Sequence, residues 1–250
     1  MQVTLVAYYG KKPPAIEALI RSLQEELSRE LGSAFAHYEI EQVHGTIIGL
    51  EALRQESDIL NLNFHELRGE RRPMNLAAVV DFIDTTKRLP FNVQIGGFSR
   101  AVADPFTSRA EHPYFRSFSL QGELAVAMGW PFSGDTYPRT LDTLRKCFND
   151  CNVLHKYHRI DNDIDNDFFF VLGRIERNLV TECQIQHAQD AMRKKLAAIA
   201  PVRFPVGREV LSLAVYEDPL LPLDSTENIS LDKARAELTR IVRSYSIGST

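Results

Sequence analysis

The sequence predicts an α+β fold: two lobes about a pseudo-twofold axis, with antiparallel sheets around a central cleft. Three observations lead there. Apolar residues switch between strand and helix periods along most of the chain. Two strand-like stretches in opposite halves end alike, His44-Gly45-Thr46-Ile47-Ile48-Gly49-Leu50-Glu51 and Phe168-Phe169-Phe170-Val171-Leu172-Gly173-Arg174-Ile175-Glu176. The outer strands echo as well, Val3 to Tyr9 against Leu211 to Tyr216. Duplication of this kind puts one copy in each lobe and a cleft between them.

In chain order, Val3 to Tyr9 is rich in strand formers and stops at Gly10. After Pro13-Pro14, Ile16, Leu19, Ile20, Leu23 and Leu27 recur at helical spacing, so Ala15 to Leu31 is a helix with Gly32 at its end. The His44 strand follows. Glu51 to Arg72 is polar and reads as a loop carrying a short helix. Leu76, Val79, Val80 and Ile83 stripe a helix over Asn75 to Arg88, which Pro90 ends. Phe91 to Phe98 alternates as a strand, and Arg100 to Tyr114 has the Pro, Asp and Ser of a surface loop. Phe115 to Met128 reads as two strands broken near Gln121-Gly122. Thr140 to Leu154 is a helix with Leu141, Leu144, Cys147, Phe148 and Cys151 inside. Asp167 to Ile175 is an apolar strand, Cys183 to Ala200 a helix and Glu209 to Tyr216 a strand. Ser230 caps a last amphipathic helix ending near Tyr245. Residues 1–222 are expected as one bilobal domain and 223–250 as a C-terminal helical extension.

Composition narrows the function classes. Of 250 residues, 44% are hydrophobic and 25% charged, which supplies a sizeable core. A formal net charge of -4 argues against broad, sequence-independent DNA binding. Cys147, Cys151 and Cys183 follow no zinc or disulfide spacing, which suits a reducing compartment. No apolar run approaches twenty residues and the N-terminal stretch is too polar for a signal peptide, so the expectation is a cytoplasmic protein without a membrane partner. Asp161-Asn162-Asp163-Ile164-Asp165-Asn166-Asp167 has the carboxylates of a calcium loop. It lacks the turn glycine, and its twelfth position is Leu172 rather than Glu, so it reads as a polar connector.

The residues that suggest chemistry are His44 and Thr46. Two apart on a strand, they share a face. An imidazole moves protons near neutral pH, and a hydroxyl donates to a phosphoryl oxygen. With this H-x-T, the order of elements over residues 1–216 resembles the two-histidine (2H) phosphoesterases, which include RNA cyclic phosphodiesterases and 2′,5′-ligases. The resemblance implies a bilobal fold with one H-x-[ST] motif per lobe, facing each other across a phosphodiester. It implies one His as general base and the other as general acid, and no metal or other cofactor. His44 and Thr46 match the first motif.

The second motif is missing. One alignment puts Phe168 and Phe170 in its place, and another, one residue along, puts Phe169 and Val171 there. Neither supplies a proton carrier or a hydroxyl. His158 is the first candidate to fill the vacancy, then His155 and His112. Tyr8 and Tyr216 are candidates to stack on a base, and Arg174 to hold phosphate. Three readings follow: a divergent cyclic phosphodiesterase, a non-hydrolysing module for a nucleotide or short RNA, or a scaffold whose C-terminal helix binds a protein.

Overall fold

A computed structural model describes residues 1–101 and 106–245. Residues 102–105 of the predicted loop and 246–250 of the predicted extension lie outside the described residues. The elements are β1 (Gln2–Ala7), α1 (Pro14–Leu31), β2 (Phe35–His37), β3 (Gly45–Gly49), β4 (Ala52–Gln55), β5 (Asp58–Asn61), α2 (Leu62–Arg68) and α3 (Leu76–Thr85). There follow β6 (Phe91–Ile95), α4 (Pro113–Arg116), β7 (Phe118–Gln121), β8 (Leu124–Phe132), α5 (Thr140–Cys147) and β9 (Phe168–Ile175). The chain closes with α6 (Glu182–Ala198), β10 (Val202–Val206), β11 (Leu211–Tyr216), β12 (Glu227–Ser230) and α7 (Leu231–Ser244).

The strands form an α+β architecture with two main antiparallel sheets. The first has the order β12-β11-β1-β3, the second β10-β6-β8-β9-β2 with β7 also on β8. Inside the first sheet β1 has a strand on each side and material over both faces, so Val3 to Ala7 are all buried, as their apolar run requires. α1 starts on Pro14, whose missing N–H costs nothing in a first turn, and buries the predicted stripe from Ile16 to Leu31. It packs on α6, which begins with a Thr181–Gln184 capping box. No helix among the described residues is long and apolar enough to cross a membrane.

Several expectations change. The polar stretch after Glu51 contains a hairpin, β4 with β5, before the expected short helix α2. β2, β10 and β12 were not expected. Each is a short strand at a sheet edge, where half the side chains face water, and β10 carries Pro205. α5 is shorter than predicted and passes into a 3₁₀ turn, Phe148–Cys151, that Asn152 ends in the left-handed region. Its inner side holds Asp142 and Arg145, while Cys147 is only half-buried.

The echo between Val3–Tyr9 and Leu211–Tyr216 is not a correspondence between lobes, because β1 and β11 are paired neighbours in one sheet. Nor is the segment after 222 an appendage. β12 extends the first sheet beside β11, and α7 buries Leu231, Ala234 and Ile241 against the body. The residue after α7 is tied as well, Tyr245 Oη donating to Leu50 O at 2.9 Å. The predicted boundary at 222/223 therefore falls between two paired strands of the first sheet, β11 and β12.

What matters for the site is that β3, at the edge of the first sheet, lies against β9 of the second. A Cβ built on Gly45 would stand 2.2 Å from Cζ of the Phe168 ring. Only glycine admits that contact. Gly45→Ala is expected to destabilise the protein by about 1–3 kcal/mol, as overpacking does, measured by urea denaturation. An unchanged midpoint would mean that the two strands are not held this close.

Candidate functional site

Where β3 meets β9 there is a cavity of about 270 Å³. His44, Thr46 and Thr4 line one wall, and Phe169, Val171 and Leu124 the other. The register left open by the sequence is thereby decided. Phe168, Phe170 and Leu172 are buried in the core, while Phe169 and Val171 alternate outward into the cavity. β8 pairs Val126 with Val171 and Ala125 with Gly173, so Leu172 is the extra residue of a bulge. The bulge restores Arg174 to the cavity side, opposite Leu124, but at the rim.

His44 sits just before β3. Its Nδ1 is 2.7 Å from Gln42 O. A carbonyl only accepts, so Nδ1 carries the proton and Nε2 keeps its lone pair. Burial pushes the imidazole down to about 4, the hydrogen bond to Gln42 opposes this in part, and the charge of Lys12 adds to it. At neutral pH His44 is thus uncharged, able to take a proton and with none to give from Nε2. The Thr46 hydroxyl lines the same wall with no hydrogen bond to a described residue. Its carbonyl accepts from Arg145 Nη2 at 2.9 Å, which fixes the strand behind it.

The other expected residues divide. Tyr216 does line the cavity, its Oη donating to Glu51 Oε1 at 2.6 Å; burial and then the Glu51 charge raise its pKa. Tyr8 does not. Its ring packs edge-on against Phe204, its Oη donates to Pro205 O, and burial pushes it up to about 12. A ring packed this way stacks on no base in the His44 cavity. Arg174 is outside the cavity lining and exposed, and its guanidinium is turned to Glu123.

The expected order of second histidines is also corrected. His158 is buried with Nε2 2.9 Å from Asp142 Oδ1 and does not line the cavity. His112 caps α4, its Nδ1 accepting from Tyr114 N. His155 is the one that reaches the cavity, beside Lys156. Its Nδ1 is 3.4 Å from Asp165 Oδ2 without forming a hydrogen bond. Burial, with Arg145 next, holds its pKa well below the ordinary range, so it too is neutral.

Sequence reasoning missed the buried polar cluster behind this wall. Arg145, fully buried, donates to Ile47 O at 2.8 Å, to Thr46 O, and to Asp165 Oδ2 at 2.8 Å, joining β3 to the segment that leads into β9. Asp167 accepts from Ser108 Oγ at 2.6 Å, Trp130 Nε1 at 2.7 Å and Arg116 Nη2 at 2.7 Å. The acidic run considered for calcium thus turns three of its carboxylates to arginines, Asp161 to Arg68, Asp165 to Arg145 and Arg109, and Asp167 to Arg116. Among the described residues no three His, Cys, Asp or Glu side chains gather as a metal site. One signal was present: Arg145 lies on the predicted apolar stripe of Leu141, Leu144 and Phe148.

No family model matches the chain, and no curated protein matches it. Among solved structures it is similar to TT0787 of Thermus thermophilus, with 13% identity and a TM-score of 0.44 over 92% of this chain and 98% of that one. It is also similar to ATU0111 of Agrobacterium tumefaciens, a conserved protein of unknown function, with 14% identity and a TM-score of 0.42 over 82% of this chain and 80% of that one. At this similarity neither assigns chemistry to the chain.

Proposed function

We propose that the chain is a divergent 2H phosphoesterase-like protein whose His44 cavity binds a nucleotide or short-RNA phosphodiester of the 2′,3′-cyclic type, with cleavage weak or absent. The observation that carries this reading is the composition of the two walls: His44 and Thr46 on one, Phe169 and Val171 on the other. His44 Nε2 accepts from a ligand hydroxyl, the Thr46 hydroxyl donates to a phosphoryl oxygen, and the Lys156 ammonium at the edge balances charge. A duplicated fold belongs to the same reading, supported by β3 and β9 facing each other and not by β1 and β11.

Cleavage needs one group to take a proton and another to give one, and losing either costs about 10²- to 10⁴-fold. Phe169 and Val171 can do neither. His155 is the one other imidazole among the described residues lining the cavity, and it is held neutral. The reading asks nothing of a metal, since a base and fixed donors suffice for binding.

Titration with 2′,3′-cyclic and linear mononucleotides tests it. Thr46→Val is expected to weaken binding by about 3- to 10-fold, the worth of one hydrogen bond, and His44→Ala by at least as much. Hydrolysis followed by phosphorus NMR is expected to be slight. Unchanged affinity in both variants would remove the ligand from this cavity, and robust hydrolysis surviving His44→Ala would place the chemistry elsewhere.

A further inference from the structure

A second cavity, of about 630 Å³, opens where β11 and β12 meet the starts of α1 and α7, and the reading above leaves it unused. Lys11, Lys12, Ser212, Ser230 and Lys233 contribute to its lining. Lys12 is only 5% exposed. Its Nζ donates to Gly10 O at 2.9 Å and Glu41 O at 3.2 Å, which are neutral acceptors, and it has no ion pair among the described residues. An ammonium buried against carbonyls alone is uncompensated, and one of its three N–H groups is still unspent. Burial pushes it down to about 8, despite the attraction of Glu41 and Glu17.

The surrounding groups are of the same kind. Ser212 is 6% exposed, lines the cavity and makes no hydrogen bond with its hydroxyl to any described residue. Its cross-strand partner Ser230 stands at the start of α7 without its side chain capping the helix. The first-turn amides of α7 are left facing outward there, with the positive end of the helix dipole. Lys11 and Lys233 form no ion pairs among the described residues. One carboxylate, the exposed Glu209, belongs to the lining.

We propose that this cavity binds the phosphoryl group of a small phosphorylated molecule, held by Lys12, Ser212, Ser230 and the first turn of α7. A cationic or neutral ligand would leave Lys12 uncompensated. Donors that line one cavity from two strands, a helix start and a buried ammonium outnumber what the two oxygens of a carboxylate accept, and suit the three of a phosphoryl group.

Inorganic phosphate, titrated into the full chain at constant ionic strength, is the probe. Wild type is expected to gain thermal stability with phosphate and to shift the amide resonances of Ser230 to Lys233. Lys12→Met is expected to unfold no earlier than wild type in phosphate-free buffer, since the buried charge is gone, and to bind phosphate at least about tenfold more weakly. Ser212→Ala is expected to weaken it about threefold. Should Lys12→Met not fold, Lys233→Met with Ser212→Ala makes the same comparison. His44→Ala is expected to leave the phosphate response intact, so failure here and failure of the His44 reading are separate results. The proposal is overturned by no response in wild type, an equal response to potassium chloride, a wild-type response in Lys12→Met, or loss of the response in His44→Ala.

Discussion

Replacing Arg145 with Met is expected to cost about 3–5 kcal/mol, as breaking a buried ion pair does. The guanidinium is fully buried and donates to Thr46 O and Ile47 O on one side and to Asp165 Oδ2, Asp165 O and Asp167 O on the other. Truncation leaves these acceptors without their donor and a buried carboxylate without its nearest cation. Arg109 Nη2, 3.0 Å from Asp165 Oδ1, offsets a part only. Urea denaturation measures the loss, and hydrogen exchange at β3 locates it. Asp165→Asn in the same background is expected to cost much less than in wild type, because its partner is already gone. A penalty below about 1 kcal/mol for Arg145→Met would mean that the two sheets are held together by something else.

Stability is expected to fall as pH drops from about 6.5 to about 4, with His44 as a main source. In that window the unfolded chain protonates an imidazole whose ordinary value is 6.5, while the folded chain, at about 4, refuses the proton. The proton therefore favours the unfolded state, and the loss from His44 reaches about 3 kcal/mol at most below pH 4. His155, depressed by burial and Arg145, acts in the same direction. The carboxylates follow at lower pH. Asp142, drawn down to about 2 by His158, the Asp165 amide and Lys146 against the cost of its own burial, stabilises the fold above its ordinary 3.8 and loses that contribution as pH falls toward 2. Denaturation at pH 7, 5.5 and 4.5 reads the first window. His44→Gln is expected to flatten the slope, and an unaltered slope would show that the folded chain does not depress the His44 imidazole.

Local patterns were legible from the residues alone. The stripe of α1 is written as apolar side chains at helical spacing, and Pro14 and Gly32 mark its ends, so no distant contact was needed to find it. β9 is apolar enough to be a strand under any partner. The pairing of His44 with Thr46 on one face follows from the strand period. By contrast, β2, β10 and β12 exist because a sheet edge was available to receive short segments whose own preference is weak.

The order of residues was enough to specify an α+β chain with a His-and-Thr face and no matching pair in its other half. Folding then placed Phe169 and Val171 in the cavity that His44 lines. An all-apolar strand carries no alternation to mark its two sides, so its register is chosen by β8 and by a bulge at Leu172. Folding also brought His155, and not His158, to the cavity, since the short loop between them turns one ring to the cavity and the other to Asp142. Arg145 and Lys12 make the same point. Whether a cation on an apolar face or beside a proline is solvated or buried depends in part on carbonyls tens of residues away, Thr46 O and Ile47 O for Arg145 and Glu41 O for Lys12, which the chain supplies only once folded.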